Sequence, residues 1–347
     1  MMRPLLIGTF CLFCALAAGL GWWYWDFLHT PAPGLGQESV IILRGAGVRE
    51  IGTILADKGL VKNDVRFLIL ARTSGLATRL KAGEFAVPRG LTPPEVLQLL
   101  ARGKVVQYHV TIAEGLTMAR IASILADKGW VEEKSFLALC RDRQFIASLG
   151  LAQNSLEGYL FPDTYALTRE DRGNAGKIIT TMVGRFFQVW KEVAPGRKKK
   201  GAPQTTPPRG PDDLSRHQIV TLASIIEKET AKSDERPLIA GVFYNRLRRG
   251  MRLQSDPTTI YGLTDFNGNL TRKDLRGKTP YNTYVIAGLP PGPICNPGKA
   301  ALTAALHPAA TDALFFVARN DGRHQFSATL KEHNRAVRKY QLRGKKK

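Results

Sequence analysis

Two glutamates near the middle of the chain carry the side chains best suited to chemistry. Glu227 and Glu229 lie in the stretch L-A-S-I-I-E-K-E-T, which runs from Leu222 to Thr230. A carboxyl group held against apolar side chains has its charged form disfavoured, which raises its pKa toward the value that a general acid needs at neutral pH. We predict that Glu227 is such a proton donor. The alternative is that both glutamates are ordinary surface acids of a helix.

A helix must position these glutamates, and the sequence marks its start. Ser215 followed three residues later by Gln218 is typical of a capping box. At about 100° per residue, Glu227 falls at the rim of the apolar arc of this helix, beside Val220 and Ala223. Glu229 falls about 160° away from Glu227, so the two carboxylates should not share a face.

Three turn-rich stretches follow that helix: Met251 to Gly262, Pro280 to Tyr284 and Gly288 to Gly298. They are rich in Tyr, Asn, Asp, Gln and Thr, which supply the donors and acceptors that a polyhydroxyl ligand needs. The predicted substrate-binding side chains here are Gln254, Asp256, Tyr281, Asn282 and Tyr284.

A second candidate surface precedes the helix, in L-E-G-Y-L-F-P-D-T-Y-A-L from Leu156 to Leu167. Sugar rings stack on aromatic faces while their hydroxyls need acceptors, so Glu157, Tyr159 and Asp163 are further candidates for substrate binding. A buried aromatic turn explains the same stretch equally well.

The chain begins with a segment that could cross a membrane. No charge occurs from Pro4 to Trp25, a run long enough for a hydrocarbon core of about 30 Å. We predict a cytoplasmic N-terminus over residues 1–4 and a transmembrane helix over 5–25, with an aromatic belt at its outer end. The alternative is a signal peptide cleaved after Ala15-Leu16-Ala17.

Sequence patterns divide the rest of the chain into a linker and two folded regions. We expect a linker over 26–37, a small module over 38–104 and a larger domain over 105–341. The motif I-L-A-D-K-G occurs at Ile54 to Gly59 and again at Ile124 to Gly129, each time after an extended apolar run. The module should have the order strand, helix, helix, strand, and could serve as a spacer or bind glycan.

The net charge of the chain indicates which kinds of partner it could bind. A formal charge of +21 on 347 residues favours polyanions: nucleic acid, an acidic membrane surface or an anionic envelope polymer. The basic, Pro-rich insertion over 194–213 lacks the interleaved aromatics of a nucleic-acid site and lies on the far side of the predicted membrane helix, so we expect no nucleic-acid partner. A basic tail is predicted over 342–347. Cys11 and Cys14 lie in the apolar N-terminal segment, where we expect no metal site, and whether Cys140 pairs with Cys295 is left open.

Several motifs together resemble the YceG-like family of endolytic murein transglycosylases, over most of the chain. They are L-E-G-Y-L-F-P-D-T-Y, A-S-I-I-E-K-E-T, V-F-Y-N-R-L, M-R-L-Q-S-D-P-T, Y-N-T-Y and G-L-P-P-G-P-I-C-N-P-G. The resemblance implies an α+β fold with one membrane helix, a LysM-like β-α-α-β module and a mixed α+β catalytic domain. It also implies that Glu227 is the catalytic acid/base, with no cofactor and no metal.

The activity implied by the resemblance is a lyase reaction on peptidoglycan at the inner membrane. The MurNAc-GlcNAc β-1,4 bond would be cut within nascent glycan strands, and the cut would leave 1,6-anhydro-MurNAc ends. Such a cut would terminate elongation of the strand, and the partners would be peptidoglycan synthases or the divisome. Two alternatives stay open. A glycoside hydrolase would need a second carboxylate, from Glu157, Asp163 or Asp256, and a membrane-anchored scaffold would bind glycan without cutting it.

Overall fold

The computed structural model describes residues 3–62, 64–196, 208 and 210–342. The chain forms two compact units, residues 1–109 with 166–170 and residues 110–165 with 171–347. Helices dominate both, joined by small two-stranded sheets. The predicted mixed α+β class with an apolar N-terminal helix is therefore confirmed. The insertion predicted over 194–213 falls mostly outside the described residues, as does the tail from 343 onward.

The first unit opens with helix α1, Arg3–His29. Within the described residues, 7–29 form one helix that is long and apolar enough to span a membrane. The helix runs past residue 26, where the sequence predicted a linker, because Phe27 is buried in the core of the unit and Tyr24 and Leu28 pack against that core. The guanidinium of Arg66 adds to this contact, since it lies 4.5 Å from the ring centroid of Trp23.

The rest of the first unit follows the predicted strand, helix, helix, strand order. Its elements are β1 (Gln37–Ile42), α2 (Val48–Asp57), α3 (Val65–Thr73), β2 (Gly83–Pro88) and α4 (Pro93–Arg102). Strands β1 and β2 pair antiparallel, with Val40 opposite Phe85, and both side chains are fully buried. The LysM-like character of this module stays a prediction.

Strands β3 (Tyr108–Thr111) and β4 (Thr164–Leu167) form a second two-stranded sheet. The helices of the second unit are α5 (Met118–Asp127), α6 (Glu133–Leu139), α7 (Arg143–Ser148), α8 (Ala175–Val193), α9 (Arg216–Glu229), α10 (Arg236–Arg248), α11 (Asp256–Tyr261), α12 (Arg272–Arg276) and α13 (Lys299–Leu306). A hairpin of β5 (Phe315–Ala318) and β6 (His324–Ser327) then leads to α14 (Leu330–Val337).

Helix α9 lies at the centre of the second unit. Every residue from Ile219 to Ile226 is buried, because α10, α11 and α13 all pack against this helix. The first charged residue to follow that buried stretch is Glu227. Cys140 and Cys295 are both buried free thiols, so they do not form the disulfide that the sequence left open.

Candidate active site

The end of helix α9 presents the two glutamates singled out from the sequence. The predicted capping box at Ser215 and Gln218 is confirmed, and it sets the start of the helix. Glu229 is the last helical residue, and Thr230 forms the cap. The two carboxyl groups point to different partners, as their angular separation on the helix predicts.

Glu227 is held by two donors. Its Oε1 accepts a hydrogen bond from Arg236 Nη2 at 2.7 Å, and its Oε2 accepts one from the backbone N–H of Gly298 at 3.0 Å. The Glu227 side chain is 5% exposed and that of Arg236 is 9% exposed, so the ion pair is buried. Gly298 caps the start of α13, where the helix dipole also favours a negative charge.

A third acidic side chain, that of Glu114, lies beside Gly298 and Arg236. A Cβ atom at Gly298 would lie 1.8 Å from Oε1 of Glu114, so no larger residue fits without moving that carboxylate. Oε2 of Glu114 in turn lies 3.7 Å from Arg236 Nη2. Burial raises the pKa of Glu227 and the charge on Glu114 adds to the rise, whereas the Gly298 amide and Arg236 oppose it.

Glu229 has a different environment. Its Oε1 accepts a hydrogen bond from the hydroxyl of Ser255, and among the described residues it forms no ion pair. Burial is the largest cause that raises the pKa of Glu229, and the neighbouring charge of Asp256 adds to it; with the opposing effects of Ser255 and Arg246 included, the pKa is about 7. The carbonyl groups at the end of α9 carry partial negative charge, which also disfavours the carboxylate.

The loop that carries Ser255 is fixed by buried polar groups. Nη1 of Arg246 donates to the carbonyl groups of Arg252 and Leu253, both at 3.0 Å. The backbone N–H of Ser255 donates to Thr283 Oγ1 at 3.0 Å. Gln254 takes a φ of 53°, a left-handed conformation that non-glycine residues adopt rarely and that is enriched at functional sites.

Two cavities lie at the end of helix α9. The smaller one, of about 380 Å³, has a charged lining that includes Glu114, Glu227, Lys228 and Arg236. The larger one, of about 560 Å³, lies beside the β5–β6 hairpin and α14. Glu229 lines both.

Three of the predicted substrate-binding residues lie with Glu229 in the larger cavity. They are Gln254, Asp256 and Tyr284. The hydroxyl of Tyr284 donates to Asp256 Oδ1 at 2.6 Å, and Arg252 Nη1 donates to the Tyr284 carbonyl at 3.0 Å. The structure thus brings together, beside one acidic group, side chains from stretches that lie well apart in the sequence.

Three other predicted residues are buried and bonded within the protein. Oε1 of Glu157 accepts from the Met118 N–H at 2.9 Å, and burial raises the pKa of Glu157 to about 7. Tyr159 is fully buried, with its hydroxyl 2.9 Å from His217 Nδ1. Asn282 is fully buried, and its amide donates to three backbone carbonyl groups.

The remaining two candidates also line neither of these cavities. Asp163 Oδ2 accepts from Arg185 Nε at 2.6 Å, in a partly exposed ion pair. The ring of Tyr281 packs edge to face on Tyr261, with 4.8 Å between centroids. A substrate-binding role for Asp163 and Tyr281 stays a prediction.

Sequence reasoning missed the partners of both glutamates. Arg236, Gly298 and Glu114 surround Glu227, and Ser255 binds Glu229. Arg236 and Ser255 sit next to acidic residues in the sequence, but that is common on any protein surface. The one usable signal was the N-P-G at 296–298, since a glycine just before a helix allows close backbone approach.

Comparison with known proteins identifies the family of this chain. The family model described as "YceG-like family" matches residues 40–339, which is most of the chain. The chain belongs to the YceG-like family. A protein of Bacillus subtilis named endolytic murein transglycosylase is 33% identical, over 87% of this chain and 84% of its own length.

Two further relatives extend the comparison. A Streptococcus pneumoniae protein, also named endolytic murein transglycosylase, is 30% identical over 95% of this chain, which spans only 64% of that relative. The crystal structure of a YceG-like protein from Listeria monocytogenes aligns with a TM-score of 0.58 and 34% identity. That alignment covers 86% of this chain and 98% of the other.

Proposed function

We propose that this protein is an endolytic murein transglycosylase, a lyase that cuts peptidoglycan strands internally. One observation carries the proposal. Glu229, a carboxyl group with a pKa of about 7 and no ion-pair partner among the described residues, is in the lining of two cavities. The names of the relatives support the same reaction.

In the first step, Glu229 acts as a general acid. A carboxyl group with a pKa near 7 is still partly protonated at neutral pH and donates its proton readily. That proton passes to the glycosidic oxygen that leaves C1 of the MurNAc residue, and the C1–O bond breaks. Glu229 is left as a carboxylate, stabilised by the hydrogen bond from Ser255.

In the second step, the same group acts as a base. The Glu229 carboxylate takes the proton of the C6 hydroxyl of the MurNAc residue, and that oxygen attacks C1. The new bond closes a 1,6-anhydro ring, and Glu229 regains its proton. No water is consumed, so the reaction is an intramolecular substitution at C1 and needs only one titrating carboxyl group.

This assignment differs from the prediction made from the sequence, which placed catalysis on Glu227. Both oxygens of Glu227 already accept hydrogen bonds, from a guanidinium and from a backbone amide at a helix start. These donors favour the carboxylate form and oppose the effect of burial, which raises the pKa of Glu227, and they hold the side chain in place, which suits a positioning role. The Glu227 assignment remains the competing proposal.

A glycoside hydrolase is the second candidate, because Asp256 lines the larger cavity together with Glu229. A hydrolase would use Asp256 as the second carboxylate and add water across the bond. A scaffold that only binds glycan is the third. Mass spectrometry of digested peptidoglycan separates them: 1,6-anhydro ends support the lyase, reducing ends the hydrolase, and intact strands the scaffold.

The anchor is the remaining part of the proposal. We propose that α1 is an uncleaved single membrane span with a cytoplasmic N-terminus, which holds the catalytic unit on the outer side near peptidoglycan synthases and the divisome. The apolar run over 7–29 supports this. A reporter at the C-terminus should be active only outside the cytoplasm, and a mature N-terminus at Ala18 would contradict the anchor.

A further inference from the structure

One face of helix α14 forms a wall of the larger cavity. A π-helical turn, Arg338–Leu342, continues α14, and the cavity-lining residues of the two together are Leu330, His333, Asn334, Val337 and Gln341. Spacings of three and four residues place such side chains on one face of a helix. The lining of the same cavity also includes Gln254, Tyr284 and Glu229.

The chemistry of this wall is that of amides beside aromatic rings. Among the described residues, the side chains of Asn334 and Gln341 form no hydrogen bond, and both residues are exposed. The His333 ring stacks on Phe315, with 5.1 Å between centroids and 24° between planes. The wall therefore offers free amide donors and acceptors next to an apolar surface.

We propose that Asn334 and Gln341 recognise the acetamido group of an N-acetylhexosamine residue bound in the larger cavity. The proposal rests on the proposed function and adds to it the groups that select the sugar. An acetamido group carries one N–H donor and one carbonyl acceptor, and a primary amide side chain can pair with both. Its methyl group needs an apolar contact, which Phe315, Phe316 and Leu330 can provide.

The size and position of the cavity fit this ligand. Its volume of about 560 Å³ lies within the ~300–1,000 Å³ of small-ligand sites. Because Glu229 lines the same cavity, a sugar held by α14 lies next to the group that would cut its glycosidic bond. The C-terminal helix would then determine which sugar is placed beside the acid.

Binding of two neutral β-1,4-linked tetrasaccharides tests the proposal. Chitotetraose carries an acetamido group at C2 of each sugar, and cellotetraose carries a hydroxyl there. Calorimetry would measure the affinity of the full chain in nanodiscs. The chain would carry Glu229→Gln, which prevents turnover. We expect the Glu229→Gln chain to bind chitotetraose more tightly than cellotetraose. Asn334→Ala should weaken chitotetraose binding about tenfold, and Gln341→Ala should weaken it too. Neither substitution should change cellotetraose binding much.

Two control variants make the result specific. Lys331→Ala changes α14 at a residue that does not line the cavity, and Gln188→Ala removes an exposed amide from α8. Both should bind chitotetraose normally. If Asn334→Ala lowers the melting temperature, Asn334→Asp tests the same site, because it keeps the shape and removes the N–H donors.

The outcomes separate this inference from the proposed function. Any one of three results would overturn the inference. The Glu229→Gln chain could bind the two tetrasaccharides with equal affinity, it could bind neither, or chitotetraose binding could be unchanged in Asn334→Ala and Asn334→Asp. Release of anhydro ends by the wild-type chain is measured independently. A lyase without acetamido preference would therefore refute only the inference, and selective binding without cleavage would refute only the proposed reaction.

Discussion

The hydroxyl of Ser255 donates a hydrogen bond to Oε1 of Glu229, although the two residues are 26 positions apart. The backbone around Ser255 is itself fixed, because Thr283 accepts from its N–H and Arg246 binds two carbonyl groups of the same loop. The protonation of Glu229 thus depends on a loop that closes over the end of α9. This relationship leads to a prediction about pH.

Removing this hydroxyl should change the pH dependence of cleavage. The general acid must be protonated, so kcat should fall as pH rises through the Glu229 pKa of about 7. Ser255 favours the carboxylate, so Ser255→Ala should raise that pKa and move the decline to higher pH by roughly one unit. Rates of anhydro-muropeptide release across the neutral pH range measure this. A decline that stays at the wild-type pH, or moves to lower pH, would refute the role of Glu229.

Glu157 should make stability depend on pH, apart from any role in catalysis. Burial raises its pKa to about 7 from an ordinary 4.5, so the folded chain binds more protons than the unfolded chain between these values. Stability should therefore fall as pH rises through this window. The loss is complete once the pH exceeds the folded-state pKa of about 7, and it amounts to about 3 kcal/mol at most.

Glu157→Gln tests this assignment. The carbonyl oxygen of the introduced glutamine can still accept from Met118 and Asn296, and its amide can donate to the Tyr261 oxygen. The variant should lose less stability than wild type between about pH 5 and pH 8, as measured by urea denaturation. Parallel losses in the two proteins would show that Glu157 is already ionised at the lower pH.

Arg236 should matter more for stability than the glutamate that it binds. Arg236→Ala leaves the Glu227 carboxylate buried without its ion-pair partner, which typically costs about 3–5 kcal/mol. Glu227→Gln should cost less, and the double variant should recover part of the loss. Urea denaturation of the four proteins gives the coupling energy, with exposed Lys228→Ala as a control. Additive effects would mean that the pair contributes no coupling.

Local features of the fold could be predicted from the sequence, because each depends on residues a few positions apart. The capping box at Ser215 and the apolar helix α1 are both of this kind. The angular separation of Glu227 from Glu229 also follows from helix geometry alone.

The environment of each glutamate could not be predicted, because it depends on contacts between distant parts of the chain. Gly298 reaches Glu227 across 71 residues, and Ser255 reaches Glu229 across 26. Composition did not distinguish binding surface from core either. Tyr159 lies in an aromatic stretch that would suit a sugar, yet its ring is buried against Phe186.

The most direct test of the proposed function compares two conservative substitutions in the full-length protein. Glu229→Gln and Glu227→Gln each keep the size of the side chain and remove its ability to exchange a proton. Release of 1,6-anhydro-muropeptides from purified peptidoglycan is measured for both, with thermal melting to show that each variant is folded. We expect Glu229→Gln to lose about 10²-fold or more in turnover and Glu227→Gln to retain substantial cleavage. Near wild-type cleavage by folded Glu229→Gln, with loss of cleavage in folded Glu227→Gln, would contradict the assignment and return the acid/base role to Glu227.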